Sequence, residues 1–314
     1  MSASPAYALL FPGQGSQALQ MLAAHHDPLI AQTWAEASAV LGWDLARLVG
    51  EGPLEQLNRT EYTQPALLAA GVALWRLWQA QQLPAPQALA GHSLGEYSAL
   101  VAAGSLAFAD ALRLVQLRGR LMQSAVPEGQ GGMAAVIGAS DETVVEICAA
   151  WSGEGVLEPV NYNAPGQVVV AGHVAALDWL QAEGKARGAR LVMRLPVSVP
   201  SHCSLMRGAA EELAAALAGV TLAPPRQPVF HNVDAMPRQD PPAIRSALVE
   251  QLYRPVRWTQ TLQALHRQGI GLFLECGPGK VLAGLNKRTL DGARSIGLED
   301  PAGLAAAVTA LRAA

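Results

Sequence analysis

The sequence predicts an α/β protein in which a small ferredoxin-like domain is inserted into a larger α/β domain. Three observations predict it. Short apolar runs bounded by Gly and Pro alternate with longer stretches of helical periodicity. Residues 132–195 carry their own βαββαβ order. Glycines stand before that stretch and prolines after it.

The elements follow in order. Residues 7–11 form an apolar run ending at Pro12-Gly13, a first strand. The loop Gly13-Gln14-Gly15-Ser16-Gln17 lacks the third glycine of a dinucleotide fingerprint. The longest helical pattern covers residues 63–82 and is ended by Pro84 and Pro86. Residues 88–90 read as a brief buried strand running into Gly91. The Ala- and Leu-rich stretch after Gly95 reads as a helix, and a further helix covers 108–123. In the small domain, strands are expected at 133–137, 156–160, 168–171 and 190–195, with helices at 141–151 and 174–186. Asn163-Ala164-Pro165-Gly166 is the turn between the middle strands. Gly129, Gly131 and Gly132 lead in, and Pro196 and Pro200 lead out. Helices dominate after Cys203, with strands near Val229 and Leu272. The expected domains are 1–128 with 198–314, and 129–197.

At 314 residues the chain is long enough for one large domain or two modest ones. No basic region precedes an apolar stretch at the start, so no signal peptide is expected. No run approaches the roughly 18 apolar residues of a membrane helix. The three cysteines, Cys148, Cys203 and Cys276, are widely spaced and form no C-x-x-C. That argues against a disulfide framework and a zinc site, and for a reducing cytoplasm. A net charge of −3 is too mild for nucleic-acid binding.

Residues 91–95, Gly-His-Ser-Leu-Gly, match the G-x-S-x-G pattern that places a serine nucleophile on a sharp strand-to-helix turn. Here a strand precedes the turn and a helix follows it. The Leu94 amide then lies at a helix N-terminus, where it stabilises a negative oxygen. The competing reading is a glycine-flanked turn with an idle serine.

The helix over 108–123 has an anomaly. Arg113, Gln116, Arg120 and Gln123 share one side. Ala111, Leu114, Val115, Leu121 and Met122 share the other, and Arg118 lies among them. A guanidinium cannot shed its proton, and burying it unpaired costs several kcal/mol. One reading is a structural salt bridge to a buried acid. The other is that Arg118 lines a cleft and takes a ligand's carboxylate in its planar fork.

A serine nucleophile needs a base. His25 and His26 fall in a polar loop and His266 near a helix end, so these read as solvated. His92 adjoins Ser93 but projects differently, and His173 opens a helix. His202 and His231 remain, and the residues alone do not choose between them.

The whole pattern resembles the bacterial malonyl-CoA:acyl carrier protein transacylases of type II fatty acid synthesis. The resemblance rests on FPGQGSQ (11–17), TQPALL (63–68), GHSLGEYSAL (91–100), RGRLMQ (118–123), NYNAPGQVVVAG (161–172), PVSVPSHCSLM (196–206), QLYRPVRWT (251–259) and ECGPGKVL (275–282). It implies an α/β-hydrolase-like large domain with a ferredoxin-like insert. It implies Ser93 as nucleophile, His202 as base, and the main-chain carbonyl of Gln251 in place of a triad acid. Gln14 and Leu94 become the oxyanion-hole amides, and Arg118 the partner of the malonyl carboxylate. Met122 and Ser201 are expected to bear on acyl choice. Cys276 stands where an aliphatic residue is usual and Tyr162 where Phe is usual. The implied partners are malonyl-CoA and an acidic holo-acyl carrier protein, with no metal or redox cofactor. Lys280, Lys287 and Arg288 are spaced to gather on one helix side for docking that protein; a solvated basic face is the alternative. Rival readings are a transacylase of malonate decarboxylase or polyketide synthesis, a serine thioesterase, and a non-catalytic binding protein.

Overall fold

The computed structural model describes residues 5–312. Five strands form one parallel sheet: β1 (Tyr7–Phe11), β2 (Ala88–Gly91), β7 (Val229–Phe230), β8 (Leu272–Glu275) and β9 (Arg294–Gly297), in the order β7-β2-β1-β8-β9. Both faces are buried, as parallel sheets require. The period of two splits β1 between two cores. Tyr7, Leu9 and Phe11 enter the larger core, while Ala8 and Leu10 enter the smaller one. Each fully buried Leu contributes about 1.5–3 kcal/mol over leaving it in water.

On the larger-core face lie α1 (Pro28–Leu41), α4 (Thr60–Gln79), α5 (Gly95–Ala102), α6 (Phe108–Ser124), α9 (Arg207–Ala218), α10 (Pro241–Glu250) and α13 (Pro301–Arg312). Helix α4 is apolar on nearly every side because it packs between α1, α5 and α6. The short helices α2 (Leu45–Glu51) and α3 (Leu54–Leu57) lead into it. The opposite face is covered by α11 (Trp258–Arg267) and α12 (Val281–Thr289).

The second sheet is antiparallel. It comprises β3 (Gly131–Ile137), β4 (Leu157–Ala164), β5 (Gln167–His173) and β6 (Leu191–Arg194), in the order β4-β5-β3-β6, which is the ferredoxin-like order. Helices α7 (Asp141–Ala149) and α8 (Val174–Glu183) close its own core on one face. Its other face, with Met133, Val160, Val169 and Ala171, packs on Cys203.

Strand β1 matches its expected range. Strand β4 runs past residue 160 to Ala164, so the turn shrinks to Pro165-Gly166. The long helix begins at Thr60 and carries Pro65 inside it, in the second turn, where the ring removes one intrahelical hydrogen bond. His25 is buried rather than solvated, its Nε2 3.0 Å from the Leu298 carbonyl.

Candidate active site

β1 and β2 run side by side, Phe11 opposite Gly91, so their carboxyl ends open together. Ligand crevices of parallel sheets form there. The loop after β1 carries Gln14. The turn after β2 carries Ser93.

That turn is held by contact between backbones. A Cβ on Gly91 would lie 1.9 Å from the Gly95 carbonyl carbon, and one on Gly95 would lie 2.0 Å from the Phe11 oxygen. Only glycine fits at either place. Ser93 has φ 51 and His202 has φ 65, in the left-handed region that side chains rarely adopt. Such strain persists where the surroundings over-determine it, and it clusters at functional sites. Ser93 is fixed from behind: its amide donates to Asn232 Oδ1 (2.7 Å), while Asn232 Nδ2 donates to the Gly91 carbonyl (2.7 Å).

Ser93 Oγ lies 2.7 Å from His202 Nε2, and His202 Nδ1 lies 2.7 Å from the main-chain oxygen of Gln251. A carbonyl only accepts, so Nδ1 carries the proton and Nε2 is left to accept from the serine hydroxyl. Gln251 is the C-cap of α10. Its carbonyl is one of the acceptors a helix end leaves free, and it sits at the negative end of the dipole. His202 is buried, and burial together with the Arg118 charge pushes its pKa down to about 3, against the pull of the Gln251 bond. The imidazole is therefore neutral near pH 7 and able to take a proton.

Arg118 is 1% exposed. Nη1 donates to Gln64 Oε1 (2.9 Å), and Nη2 donates to Gln251 Oε1 (2.9 Å) and Ser93 Oγ (3.3 Å). Its carbon lies 5.7 Å from the Tyr97 ring centroid. All three hydrogen-bonding partners are uncharged. Among the described residues Arg118 makes no direct salt bridge; the buried Glu96 acts on it electrostatically, with the Gln251 amide between the two. A permanent cation beside the nucleophile is chemically suited to an anionic group.

A cleft of about 620 Å³ is lined by Ser93, His202 and Arg118, and by Gln14, Leu94, Met122 and Ser201 as well. Among the described residues, neither the Gln14 nor the Leu94 amide has a backbone acceptor. Leu94 is the N-cap of α5, so its amide stands at the positive end of that helix. Met122 Sδ accepts a contact from Gln64 Nε2 at 3.5 Å. Lys280, Lys287 and Arg288 lie elsewhere, exposed at and along α12. The Arg288 guanidinium donates to Gln167 Oε1 of the small sheet.

Of the two histidines left open by the sequence, His231 is the one turned away from Ser93: its Nδ1 lies 2.7 Å from Glu96 Oε1, behind the elbow. Three residues of the site escape the sequence: Glu96 and Asn232, which complete that buried layer, and Gln64, which holds Arg118. Gln64 carried a usable signal, a polar residue inside an apolar helix, the same anomaly that marked Arg118. Glu96 did not, because an acid in a helix's first turn is ordinary.

Residues 8–308 match the acyl transferase domain family. The chain is 53% identical to the malonyl CoA-acyl carrier protein transacylase of Salmonella typhimurium, over 96% of this chain and 99% of that one. The crystal structure of the malonyl-CoA:acyl carrier protein transacylase of Xanthomonas oryzae pv. oryzae superposes with a TM-score of 0.96 at 54% identity, covering 99% of each chain. A malonyl-transacylase solved in complex with a type II polyketide acyl-carrier protein superposes with a TM-score of 0.95 at 51% identity, covering 98% of this chain and 100% of that one. The chain belongs to the acyl transferase domain family and, within it, to the malonyl CoA-acyl carrier protein transacylases.

Proposed function

We propose that the protein transfers the malonyl group of malonyl-CoA to the phosphopantetheine thiol of holo-acyl carrier protein through a malonyl ester on Ser93, supplying fatty acid elongation. The observation that carries this reading is Arg118: buried, ion-paired with no residue among those described, and 3.3 Å from the serine oxygen.

His202 Nε2 takes the Ser93 proton as Oγ attacks the thioester carbonyl. The oxyanion is held by the Gln14 and Leu94 amides. The C–S bond breaks, and the imidazolium returns its proton to the coenzyme A sulfur. In the second half, His202 takes the carrier thiol's proton, the thiolate attacks the ester, and Ser93 leaves with that proton. The scheme calls for no metal or redox group, since His202 moves every proton. A carbonyl partner makes His202 a weaker base than a carboxylate does, and this disfavours attack by water.

The same reading gives 1–128 and 198–314 to a catalytic domain and 129–197 to a small one, supported by the separate cores beneath the two sheets. No described helix is long and apolar enough to cross a membrane. The three cysteines are unpaired and buried, which supports a reducing cytoplasm.

Arg118→Ala tests the reading. A charge-assisted hydrogen bond is worth roughly 1.5–3 kcal/mol, so malonyl loading falls at least about tenfold while acetyl loading holds or rises. Arg118→Lys rescues only part, because an ammonium lacks the fork. Equal losses for both acyl groups count against it. A hydrolase instead of a transferase would release free malonate without carrier protein.

The carrier surface is tested separately. Reversing Lys287 and Arg288 to Glu raises the KM for carrier protein roughly threefold to tenfold at low salt, and added salt narrows the difference. An unchanged KM returns α12 to a solvated face. The second reading, a polyketide carrier as the acceptor, draws on the likeness to the polyketide complex. Comparing rates on carriers from the two pathways decides it.

A further inference from the structure

Gln251 meets the site in two ways. Its main-chain oxygen takes the His202 proton. Its side-chain amide stands between Arg118 and a buried carboxylate. Oε1 accepts from Arg118 Nη2 at 2.9 Å, while Nε2 donates to Glu96 Oε2 at 2.9 Å and to the Ser93 carbonyl at 3.0 Å. The amide could in principle turn over, exchanging oxygen and nitrogen. Turned over, its NH2 would face the guanidinium, donor against donor, and its oxygen would face two acceptors. Arg118 rejects that orientation from one side, and Glu96 rejects it from the other.

Glu96 is itself fully buried and closely held. Oε1 meets His231 Nδ1 at 2.7 Å, and Oε2 accepts the Asn232 amide at 2.9 Å as well as the Gln251 amide. Both oxygens are thus committed as acceptors. Neither Glu96 nor His231 lines the cleft. The contact that leads from the pair to Arg118 runs through Gln251, while a second, through Asn232, leads to the Ser93 main chain.

We propose that Glu96 is a positioning residue for acyl selection: backed by His231, it fixes the Gln251 amide so that Oε1 faces Arg118 and holds the guanidinium fork in place for a carboxylate. The inference rests on the carboxylate-binding reading of Arg118. It differs from a plain structural role in what is lost. The His202 bond to Gln251 uses the main chain, so a disturbed amide leaves the nucleophile and base paired and costs the fork its orientation.

Glu96→Gln keeps the shape and removes the obligate acceptor, because an amide presents a donor as readily as an acceptor. Three rates are read on wild type and variant: Ser93 loading from malonyl-CoA, loading from acetyl-CoA, and labelling by a fluorophosphonate, which carries no carboxylate. The malonyl loss exceeds the acetyl and fluorophosphonate losses by at least about tenfold. Gln251→Met shows the same bias, and adding Glu96→Gln to it produces no further bias, since the two act through one contact. Equal losses on all three reagents, or additive biases in the double variant, overturn the proposal. If Glu96→Gln does not fold, Glu96→Asp retains two acceptors on a shorter arm. A malonyl-specific loss of at least about threefold supports the proposal there, and equal losses overturn it. A wild-type protein that does not prefer malonyl over acetyl overturns the Arg118 reading and this inference together. A selective wild type with unbiased variants overturns this inference alone.

Discussion

Ser93→Ala protein incubated with malonyl-CoA gains no mass. The wild type gains one malonyl unit, mapped to the peptide containing Ser93. Transfer to carrier protein falls by on the order of 10⁶, the loss seen when a serine nucleophile working with a histidine is removed. The loss is this large because the substitution removes the bond-forming atom while the oxyanion amides and Arg118 stay in place. The alanine variant also remains folded. The turn is shaped by Gly91 and Gly95, and the Ser93 amide keeps its bond to Asn232 Oδ1. A malonyl adduct elsewhere, for instance on Cys203 beside the base, would sink the assignment. The structure speaks against that adduct: Cys203 is fully buried, and burial pushes its thiol up to about 12, so it holds little thiolate.

His202→Ala slows Ser93 acylation by about two to four orders of magnitude, the usual consequence of losing a general base. The pH profile supplies an independent check. A base works when neutral. Burial and the Arg118 charge lower the His202 pKa to about 3, so the neutral form persists far below the 6.5 of a free imidazole. Activity is lost only as pH falls toward that low value, and kcat/KM shows no inflection near 6.5. An acid limb centred near 6.5 would mean that His202 is solvated or is not the base. His231→Ala behaves differently. That ring touches Glu96 behind the elbow and not Ser93. Its removal appears in the melting temperature, because a buried carboxylate loses a partner, while fluorophosphonate labelling of Ser93 stays within a fewfold.

Strand β1 and helix α6 were legible because each follows one simple period. Five buried residues in a row between polar segments leave little choice of strand, and α6 carries a clean apolar stripe. Arg118 stood out because it breaks that stripe. Strand β9 went unread for the opposite reason: Arg294–Gly297 is a short edge strand, only partly buried, with no alternation to notice. His25 misled because its ring's hydrogen-bond partner, the Leu298 carbonyl, is 273 residues away in the chain. The choice between His202 and His231 is non-local in the same way. Each ring is assigned by what folding brings to it, Gln251 in one case and Glu96 in the other. Before folding, both are histidines at the end of an apolar run, and the family resemblance alone separated them.

The glycine pair around the elbow bears on how this enzyme can change. The atoms that Gly91 and Gly95 approach belong to the backbone of neighbouring segments. A side chain added there cannot be accommodated by trimming another side chain, because no partner exists to trim. Compensating mutations, the usual route by which lineages drift through tight packing, are closed at both places. A saturation library at positions 91 and 95 should return glycine alone among active clones. Met122 and Ser201 line the cleft wall, and libraries there are expected to retune the cargo. Evolvability in this fold is thus divided: the walls are negotiable, and the hinge of the nucleophile is not.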